Sequence, residues 1–346
     1  MANNNINLQN AKNLKDDEFY TTYECIAEEL IHYKRHFRGK CVLCNCDDPL
    51  ESNFSKYFLK NFNALGLSRL ICTSYKDSKV SSSRYKQLGI EASMKGERSA
   101  YILDVSFISG GVEIFSDEFI NYWLKENKPI RRLKGNGDFQ SEECLKYLNQ
   151  ADIIVTNPPF SLFKKMVTLL ISAKKQFLLI GNQNALTYKE IFPLIRENLV
   201  WTGYHFGDMK FRVPNDSPPR NTRFWVDSTG QKWRSLGNAM WLTNMDIERR
   251  HLRLKLSKRF NVMEYPLYDD FEAINVKRVM DIPMDYSGIM GVPITIINKY
   301  NPEQFEIIGE ANHGSDSEFD LFKPMVNGKL LFKRILIRNK EIGNGN

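Results

Sequence analysis

Long apolar runs and a secretory leader are both missing from this sequence of 346 residues. No stretch of eighteen or more apolar residues occurs, which argues against a membrane-spanning helix. Residues 1–10 are polar and rich in asparagine, without the basic and apolar segments of a secretory signal. With 42% hydrophobic and 26% charged residues, the composition is that of a water-soluble globular protein. We therefore expect a cytoplasmic location and no membrane partner.

Cysteine is also scarce, with six residues in a chain that is too large to depend on disulfides. Cys41, Cys44 and Cys46 lie close together, at spacings of three and two. Along an apparent strand these spacings direct the thiols to opposite faces, and no nearby pair of cysteines or histidines completes a tetrahedral zinc site. We expect reduced thiols and no bound metal.

Positive charge is concentrated in one segment of the chain. The net charge is +7, from 48 basic and 41 acidic residues, and residues 201–260 alone contain 12 basic and 5 acidic residues. The same segment contains four of the five tryptophans, a mixture that suits the phosphates and base edges of nucleic acids. The alternative is a solvated basic face over an aromatic core, because most surface charges do nothing specific. The candidate nucleic-acid contacts are Arg212, Arg220, Arg223, Trp225, Lys232 and Arg234.

The order of apolar segments predicts an α/β protein. From about residue 18 to 181, short apolar runs alternate with helical patterns, which predicts βαβ units and a largely parallel, doubly wound sheet. The predicted strands are Lys40–Leu43, Arg69–Thr73, Ala100–Val105, Asp152–Thr156 and Phe177–Ile180. The predicted helices are Glu24–His36, Ser52–Asn63 and Ser161–Ala173.

Two further segments differ from this pattern. Residues 76–134 interrupt it and are predicted to be an insertion that elaborates the core. After residue 201 the sequence contains many turns and aromatic residues, and alternating runs such as Leu252–Leu256 favour antiparallel strands. Leu330–Ile337 is a further strand candidate. The C-terminal region is therefore predicted to be mainly β.

The most informative segment is Asp152–Phe160, in which an apolar strand ends in Asn157, Pro158, Pro159 and Phe160. Proline lacks a backbone N–H and fixes φ, so two successive prolines end the strand and hold the Asn157 side chain in a rigid turn. Open α/β sheets bind their ligands at this carboxyl end of the strands. The alternative is an ordinary strand end followed by a core phenylalanine.

These four residues resemble motif IV of the amino-group DNA methyltransferases. Other segments resemble the EcoRI-type adenine-specific methyltransferases in particular: Asp17–Thr21 is similar to motif X, Lys40–Pro49 to motif I, and Asn136–Phe139 to motif III. The resemblance covers roughly residues 15–185, in the order X, I, III, IV. Residues 40–65 contain no glycine, whereas most methyltransferases have a glycine-rich motif I; the EcoRI-type pattern shares this departure.

The resemblance implies a Rossmann-like, S-adenosylmethionine-dependent methyltransferase sheet at residues 15–200, after a flexible N-terminus at 1–14. It implies a mainly β target-recognition region at residues 201–346. S-adenosylmethionine is the implied cofactor, without a metal. The residues that the motifs assign to cofactor binding are Phe19, Tyr20, Thr21, Asn45, Cys46, Asp47, Asp48, Asp138 and Asn157.

The implied reaction is methyl transfer to the N6 amine of an adenine flipped out of duplex DNA, within a short recognition sequence. This amine is a poor nucleophile because its lone pair is delocalised into the ring. The implied catalytic residues are Asn157 and Pro158, which accept hydrogen bonds from the amine, with Pro159 in the turn and Phe160 stacked on the adenine. We expect a bacterial or phage monomer that acts on double-stranded DNA, within a restriction-modification system that has a cognate endonuclease.

Alternatives remain for the function and for two motifs. The same turn suits any planar amino group, so RNA adenine or protein glutamine are alternative substrates, although the long basic C-terminal region favours DNA. The glycine-free motif I leaves open a nucleic-acid-binding protein without catalysis. Asp47, Asp48 and Pro49 also fit the start of a helix, and Phe19 and Tyr20 also fit core aromatic positions.

Overall fold

A computed structural model describes residues 20–76, 99–111, 113–213, 217–314 and 317–342. Phe19 and the predicted N-terminus at 1–14 lie outside these residues. The chain forms two compact units, Met1–Gln183 with His205–Met245, and Asn184–Tyr204 with Asp246–Asn346. Residues 205–245, which the sequence analysis groups with the C-terminal region, therefore pack in the first unit. No helix among the described residues is long and apolar enough to cross a membrane.

The described part of the first unit is built around a ten-stranded sheet. Its strand order is β1-β8-β10-β7-β6-β2-β3-β4-β5, and β9 pairs with β10. The strands are β1 (Tyr20–Thr21), β2 (Cys41–Asn45), β3 (Arg69–Thr73), β4 (Tyr101–Val105), β5 (Ile130–Arg132), β6 (Ile153–Thr156), β7 (Gln176–Asn182), β8 (Trp201–Arg212), β9 (Phe224–Val226) and β10 (Lys232–Thr243).

The centre of this sheet is parallel and its two sides are antiparallel. Strands β3, β2, β6 and β7 run parallel to one another, and nearly all their residues are buried, as expected for apolar strands covered on both faces. On one side β4 and β5 are antiparallel, and on the other β10 is antiparallel to β7. The predicted strands are confirmed to within two residues, but the sheet is mixed rather than largely parallel. Within residues 76–134, which were predicted to be an insertion that elaborates the core, β4 and β5 extend the sheet on one side.

Helices connect the central strands. In the first unit they are α1 (Tyr23–Leu30), α2 (Lys34–Phe37), α3 (Asn53–Lys60), α4 (Phe62–Leu65), α5 (Asp117–Asn127), α6 (Glu142–Gln150) and α7 (Phe163–Ser172). Side-chain oxygens of Thr22, Ser52, Ser116 and Ser141 cap α1, α3, α5 and α6 by accepting backbone N–H groups of the first turn. The predicted helix Glu24–His36 is instead interrupted by a 3₁₀ turn at Ile31–Tyr33, because Tyr33 adopts a non-helical φ of −112°.

The second unit contains one five-stranded and one two-stranded sheet among its described residues. Their strands are β11 (Ile274–Asn275), β12 (Met290–Pro293), β13 (Phe305–Ala311), β14 (Asp320–Phe322), β15 (Met325–Val326), β16 (Lys329–Leu330) and β17 (Arg334–Asn339), and the unit also contains α8 (Phe192–Arg196). The predicted strand Leu330–Ile337 is two strands separated by Leu331–Lys333. Leu252–Leu256 is not in a sheet: the Gln304 side chain donates to the Leu254 carbonyl and accepts its N–H, so a buried amide replaces the neighbouring strand.

Candidate active site

The four central strands end at one edge of the sheet, which we call the carboxyl edge. Asn45 ends β2, Thr73 ends β3, Thr156 ends β6 and Asn182 ends β7. Asn45 lies opposite Thr73 in the β2–β3 ladder. Parallel strands thus bring polar residues that are far apart in sequence to a common edge, the usual ligand-binding position in open α/β sheets.

The Asn157 turn lies directly beyond β6 at this edge. The Asn157 side-chain Nδ2 donates a hydrogen bond to Thr21 Oγ1 at 3.2 Å. This bond orients the amide, so the side-chain oxygen lies on the side away from Thr21. Thr21 is buried in β1, and its carbonyl accepts from Asn53 Nδ2 at 2.7 Å. The segments predicted as motifs X and IV are therefore in direct contact, and Asn53 at the start of α3 fixes the contact from a third element.

The aromatic residue of the turn lies on a rigid support. Phe160 is half-buried and begins a 3₁₀ turn that is followed by the buried Phe163 of α7. Any side chain at Gly181 in β7 would overlap the Phe163 ring, so glycine permits this close approach. The turn, which follows β6, is thereby also held close to β7.

Asp47 is a buried carboxylate beside the Asn157 turn. Its Oδ1 accepts from Ser52 Oγ at 2.8 Å and its Oδ2 from Thr156 Oγ1 at 2.7 Å. The backbone N–H of Asn157 also donates to it. Burial raises the pKa of Asp47 from 3.8 to about 7, partly opposed by these hydrogen bonds.

Two buried polar atoms at the carboxyl edge have no hydrogen-bond partner among the described residues. They are Asn45 Oδ1 and Thr73 Oγ1, on adjacent strands at paired positions. Asn45 Nδ2 makes one weak contact with Met166 Sδ at 3.7 Å. Buried polar atoms without partners are costly, so they indicate a polar ligand at this position. Cys46, which follows Asn45 with φ of +68°, turns the chain sharply at the strand end.

Asp48 stabilises the turn that leads into α3. Its Oδ1 accepts the backbone N–H groups of Leu50 and Glu51, at 2.9 and 3.0 Å. The helix cap is Ser52, so the alternative in which the Asp47–Pro49 segment itself begins a helix is wrong by one turn. Asp48 is buried, and its carboxylate orders the backbone from which Asp47 is presented.

The predicted motif III segment also reaches the carboxyl edge. The Lys76 N–H donates to the Asn136 carbonyl at 2.9 Å. Gly137 has φ of +74°, and a Cβ there would overlap the Ser74 carbonyl oxygen just beyond β3. Asp138, half-buried, accepts from the Gln140 N–H at 2.9 Å, so it shapes the turn before α6.

A basic ribbon, residues 205–213 and 217–238, extends past the same edge. Strand β10 pairs with β7 only as far as Ala239, which lies opposite Asn182, so Lys232–Asn238 continues beyond the end of β7. Asn238 Nδ2 donates to Asn182 Oδ1 at 3.1 Å. The ribbon carries a pocket of about 410 Å³ whose lining includes Arg220, Thr222, Arg223, Arg234, Ser235 and Asn238.

The other predicted nucleic-acid contacts are distributed over the ribbon. Arg223 pairs with Asp208 at 2.6 Å, and each side chain is 56% exposed. The Trp225 and Trp233 rings lie nearly parallel, with centroids 6.4 Å apart. Lys232 Nζ donates to the Ser217 carbonyl. Arg212 lies opposite Tyr20 in the β1–β8 ladder, with its guanidinium 5.3 Å from the Tyr20 ring centroid.

Several residues of this arrangement were not predicted from the sequence. They are Ser52, Asn53, Thr73, Thr156 and Asn182. Thr73, Thr156 and Asn182 share one detectable signal, because each is the polar residue that ends a buried apolar strand. Ser52 and Asn53 carried only a helix-start signal, which does not indicate a role at a site.

Comparison with known proteins identifies the family. The sequence family described as adenine-specific methyltransferase EcoRI matches residues 7–340. The Type II methyltransferase M.EcoRI of Escherichia coli is 42% identical over 348 residues, or 99% of each chain. The chain belongs to this family. The prediction of an adenine-specific methyltransferase is thus confirmed.

This methyltransferase is also similar to two mycoplasmal proteins. The Type II methyltransferase M.MpnI of Mycoplasma pneumoniae is 37% identical over 304 residues, covering 86% of this chain and 83% of that protein. The Type II methyltransferase M.MgeORF184P of Mycoplasma genitalium is 33% identical over 350 residues, covering 96% and 98%. No solved structure matches the chain.

Proposed function

We propose that this enzyme methylates the N6 amine of adenine in duplex DNA at a specific sequence, using S-adenosylmethionine directly as the methyl donor. The observation that carries the proposal is the fixed Asn157 turn at the carboxyl edge. Thr21 holds its side chain from β1, and Asp47 holds its backbone N–H from the end of β2. A methyltransferase needs this rigidity because its acceptor amine must be held in line with the donor.

The Asn157 side-chain oxygen and the Pro158 carbonyl accept hydrogen bonds from the two N–H groups of the adenine amine. These bonds strengthen as nitrogen becomes tetrahedral and positive charge develops on it, so they stabilise the transition state more than the ground state. No strong general base is required. Pro159 fixes the turn, and Phe160 stacks on the flipped adenine, which offsets part of the unstacking cost of a few kcal/mol.

The carboxyl edge fits S-adenosylmethionine in chemistry. The unpartnered oxygens of Asn45 and Thr73 are suited to its ammonium and hydroxyl groups, and Asp138 lies on the neighbouring loop. Tyr20, Thr21, Cys46 and Asp48 complete the predicted set around this edge, with Phe19 immediately before β1. The bound cofactor supplies a methyl group on a positively charged sulfur. The chain's own residues hold that group toward the Asn157 turn and exclude water from it.

We further propose that the sheet belongs to a Rossmann-like catalytic domain, and that target recognition begins with the basic ribbon and continues in the residues C-terminal to it. Arg220, Arg223 and Arg234 line one pocket, which favours an anionic partner. In the major groove of duplex DNA, arginine side chains pair with guanine. The Type II names of the relatives support a restriction-modification system with a cognate endonuclease. We also propose that the enzyme acts as a monomer.

The test is transfer of labelled methyl from S-adenosylmethionine to mixed-sequence duplex DNA, followed by nucleoside analysis. We expect label in N6-methyladenine, and a loss of about 10²–10³-fold in kcat for Asn157→Ala, the range for removing one stabilising group from a transition state. RNA and a mixture of glutamine-containing proteins serve as parallel acceptors. Label confined to either of these, or full activity in Asn157→Ala, would overturn the proposal.

A further inference from the structure

Asp47 connects the ends of two central strands with the start of a helix. Its backbone N–H donates to the Thr73 carbonyl at 3.0 Å, and its carboxylate accepts from Ser52, Thr156 and the Asn157 backbone. We propose that ionised Asp47 is a positioning residue that holds the Asn157 turn in its reactive geometry, and that protonation of Asp47 releases the turn. This inference rests on the proposed function, in which Asn157 contacts the adenine.

The carboxylate of Asp47 is engaged by protein donors at both oxygens. Ser52 donates to Oδ1 and Thr156 to Oδ2. Asp47 was predicted to bind the cofactor, but a carboxylate already engaged in this way acts on the reaction through Asn157. Its influence should therefore be on kcat, and much less on the KM for S-adenosylmethionine.

Charge matters because all three groups around Asp47 are donors. An ionised carboxylate only accepts, whereas a protonated one must itself donate. The Ser52 oxygen already accepts from the Phe54 N–H at 3.1 Å as the helix cap. Thr156 has an alternative acceptor, since its hydroxyl also contacts the Asn45 carbonyl. A proton on Asp47 would thus turn Thr156 toward Asn45 and loosen the adjoining residue, Asn157.

The surroundings of Asp47 place this change near neutral pH. Burial and, to a smaller extent, the adjacent carboxylate of Asp48 raise the pKa of Asp47, the hydrogen bonds of Thr156, Ser52 and Asn157 lower it, and the resulting value is about 7. Among the described residues, the buried thiol of Cys44 also interacts electrostatically with Asp47, and its own pKa is raised chiefly by burial. No described cation figures among the causes of the shift.

The experiment is a profile of kcat against pH from 5.5 to 8.5, at saturating DNA and S-adenosylmethionine, for wild type and Asp47→Asn. Asparagine has the same shape as the protonated acid, so the variant should remain folded. We expect wild-type kcat to fall below a midpoint near 7. In Asp47→Asn we expect that decline to be absent and kcat to be lower by about 10²-fold, the effect of a small misplacement of reacting groups, with little change in either KM.

Asp152→Asn is the matched control. Asp152 Oδ2 accepts the Cys41 N–H at 2.8 Å, so it joins β2 and β6 at the opposite end of the same strands. The acidic decline should persist in this variant. Thr156→Val is a second probe: it removes a hydrogen bond to the ionised carboxylate, so the midpoint should move to higher pH.

Three results would overturn the inference. The first is that Asp47→Asn keeps the kcat of wild type together with its decline at acidic pH. The second is that Asp47→Asn raises the KM for S-adenosylmethionine and leaves kcat unchanged. The third is that Thr156→Val leaves the midpoint of the pH profile unmoved. Each is distinct from failure of the proposed function, which full activity of Asn157→Ala would reveal. If Asp47→Asn proved unfolded, as seen by circular dichroism, the Thr156→Val midpoint alone would decide.

Discussion

The carboxyl edge and the basic ribbon hold their polar side chains in opposite ways. Asp47 at the edge is 7% exposed and is engaged by two hydroxyls, whereas Arg223 and Asp208 on the ribbon form one ion pair with each side chain 56% exposed. Moving the Asp47 carboxylate would leave a buried charge or its donors unsatisfied. The ribbon groups can exchange partners with water at small cost.

This difference matches the two tasks of a sequence-specific methyltransferase. Catalysis needs groups that are already oriented before the substrate arrives, because reorganisation would add to the barrier. Binding to a polyanion needs cations that can leave an internal partner for a phosphate. Edge variants should therefore change stability strongly and ribbon variants weakly, and the comparison can be tested from the largest effect downward.

The largest expected effect is a pH-dependent stabilisation in Asp47→Asn. The unfolded carboxyl ionises near 3.8 but the folded one near 7, so wild type loses stability as pH rises between these values. The shift corresponds to about 4 kcal/mol above pH 7. We expect thermal unfolding to show a higher Tm for Asp47→Asn at pH 8, and a difference that vanishes near pH 4.

The matched ribbon variant, Asp227→Asn, should have the opposite sign. Asp227 is half-buried and its pKa is lowered to about 2, first by the Thr229 hydroxyl and then by Trp233 Nε1. Its contribution to stability is present above pH 3.8 and is lost as pH falls through about 2. The variant should therefore be less stable than wild type at neutral pH. A Tm change of the same sign in both variants would break the comparison.

Two glycines with positive φ provide the next test. Gly137→Ala should destabilise the protein by roughly 3 kcal/mol, because left-handed strain adds to overlap with the Ser74 carbonyl. Gly230→Ala, in the ribbon turn at φ of +83°, meets no atom within 4 Å and should cost only about 1 kcal/mol. Denaturant unfolding of both variants measures the difference. Equal losses would show that the edge is no more tightly packed than the ribbon.

Local sequence signals were sufficient to predict the strands that end at the carboxyl edge. The apolar runs predicted the central strands, and the two prolines predicted the abrupt end of β6 after Thr156. Long-range pairing was not predictable in the same way. Nothing local to residues 101–132 indicates that β4 and β5 extend the sheet in the antiparallel sense, and nothing near residue 232 indicates that β10 pairs with β7.

The role of Asp47 illustrates the same limit within the site. The motif identified it as a polar residue at a strand end, where a cofactor contact is the natural expectation. The orientation of the Asp47 side chain depends on its hydrogen bond with Thr156, which is 109 residues away in sequence. Likewise, alternation at Leu252–Leu256 predicted a strand, but the position of Gln304 gave its backbone a side-chain partner instead.

A smaller effect is expected from charge removal on the ribbon. If Arg234 contacts a base, Arg234→Gln should weaken binding to duplex DNA by about 1–3 kcal/mol and relax the specificity at one position. If it contacts a phosphate, the substitution should weaken binding uniformly across sequences, and the slope of log affinity against log salt concentration should be lower by about 1. Binding titrations at several salt concentrations, on a methylatable duplex and a scrambled one, separate these results. Lys146→Gln, on α6, is the matched control because it also removes one exposed positive charge. An unchanged affinity for Arg234→Gln would remove this arginine from the interface.

The smallest expected change in stability is that of Asp208→Asn, which removes the exposed partner of Arg223. Because exposed ion pairs contribute little, we expect the free energy of unfolding to change by less than about 1 kcal/mol. The Arg223 guanidinium also packs over Gly237 and contacts Ser235 Oγ, so it should stay in place without Asp208. DNA should then bind more tightly and with a steeper salt dependence, because a cation no longer has to leave an internal carboxylate. The double variant with Arg223→Gln should abolish that gain. If the gain in DNA affinity persisted in the double variant, Asp208 would act only through general repulsion of the DNA. If Asp208→Asn instead bound DNA more weakly than wild type, the ion pair would shape the surface that the DNA contacts.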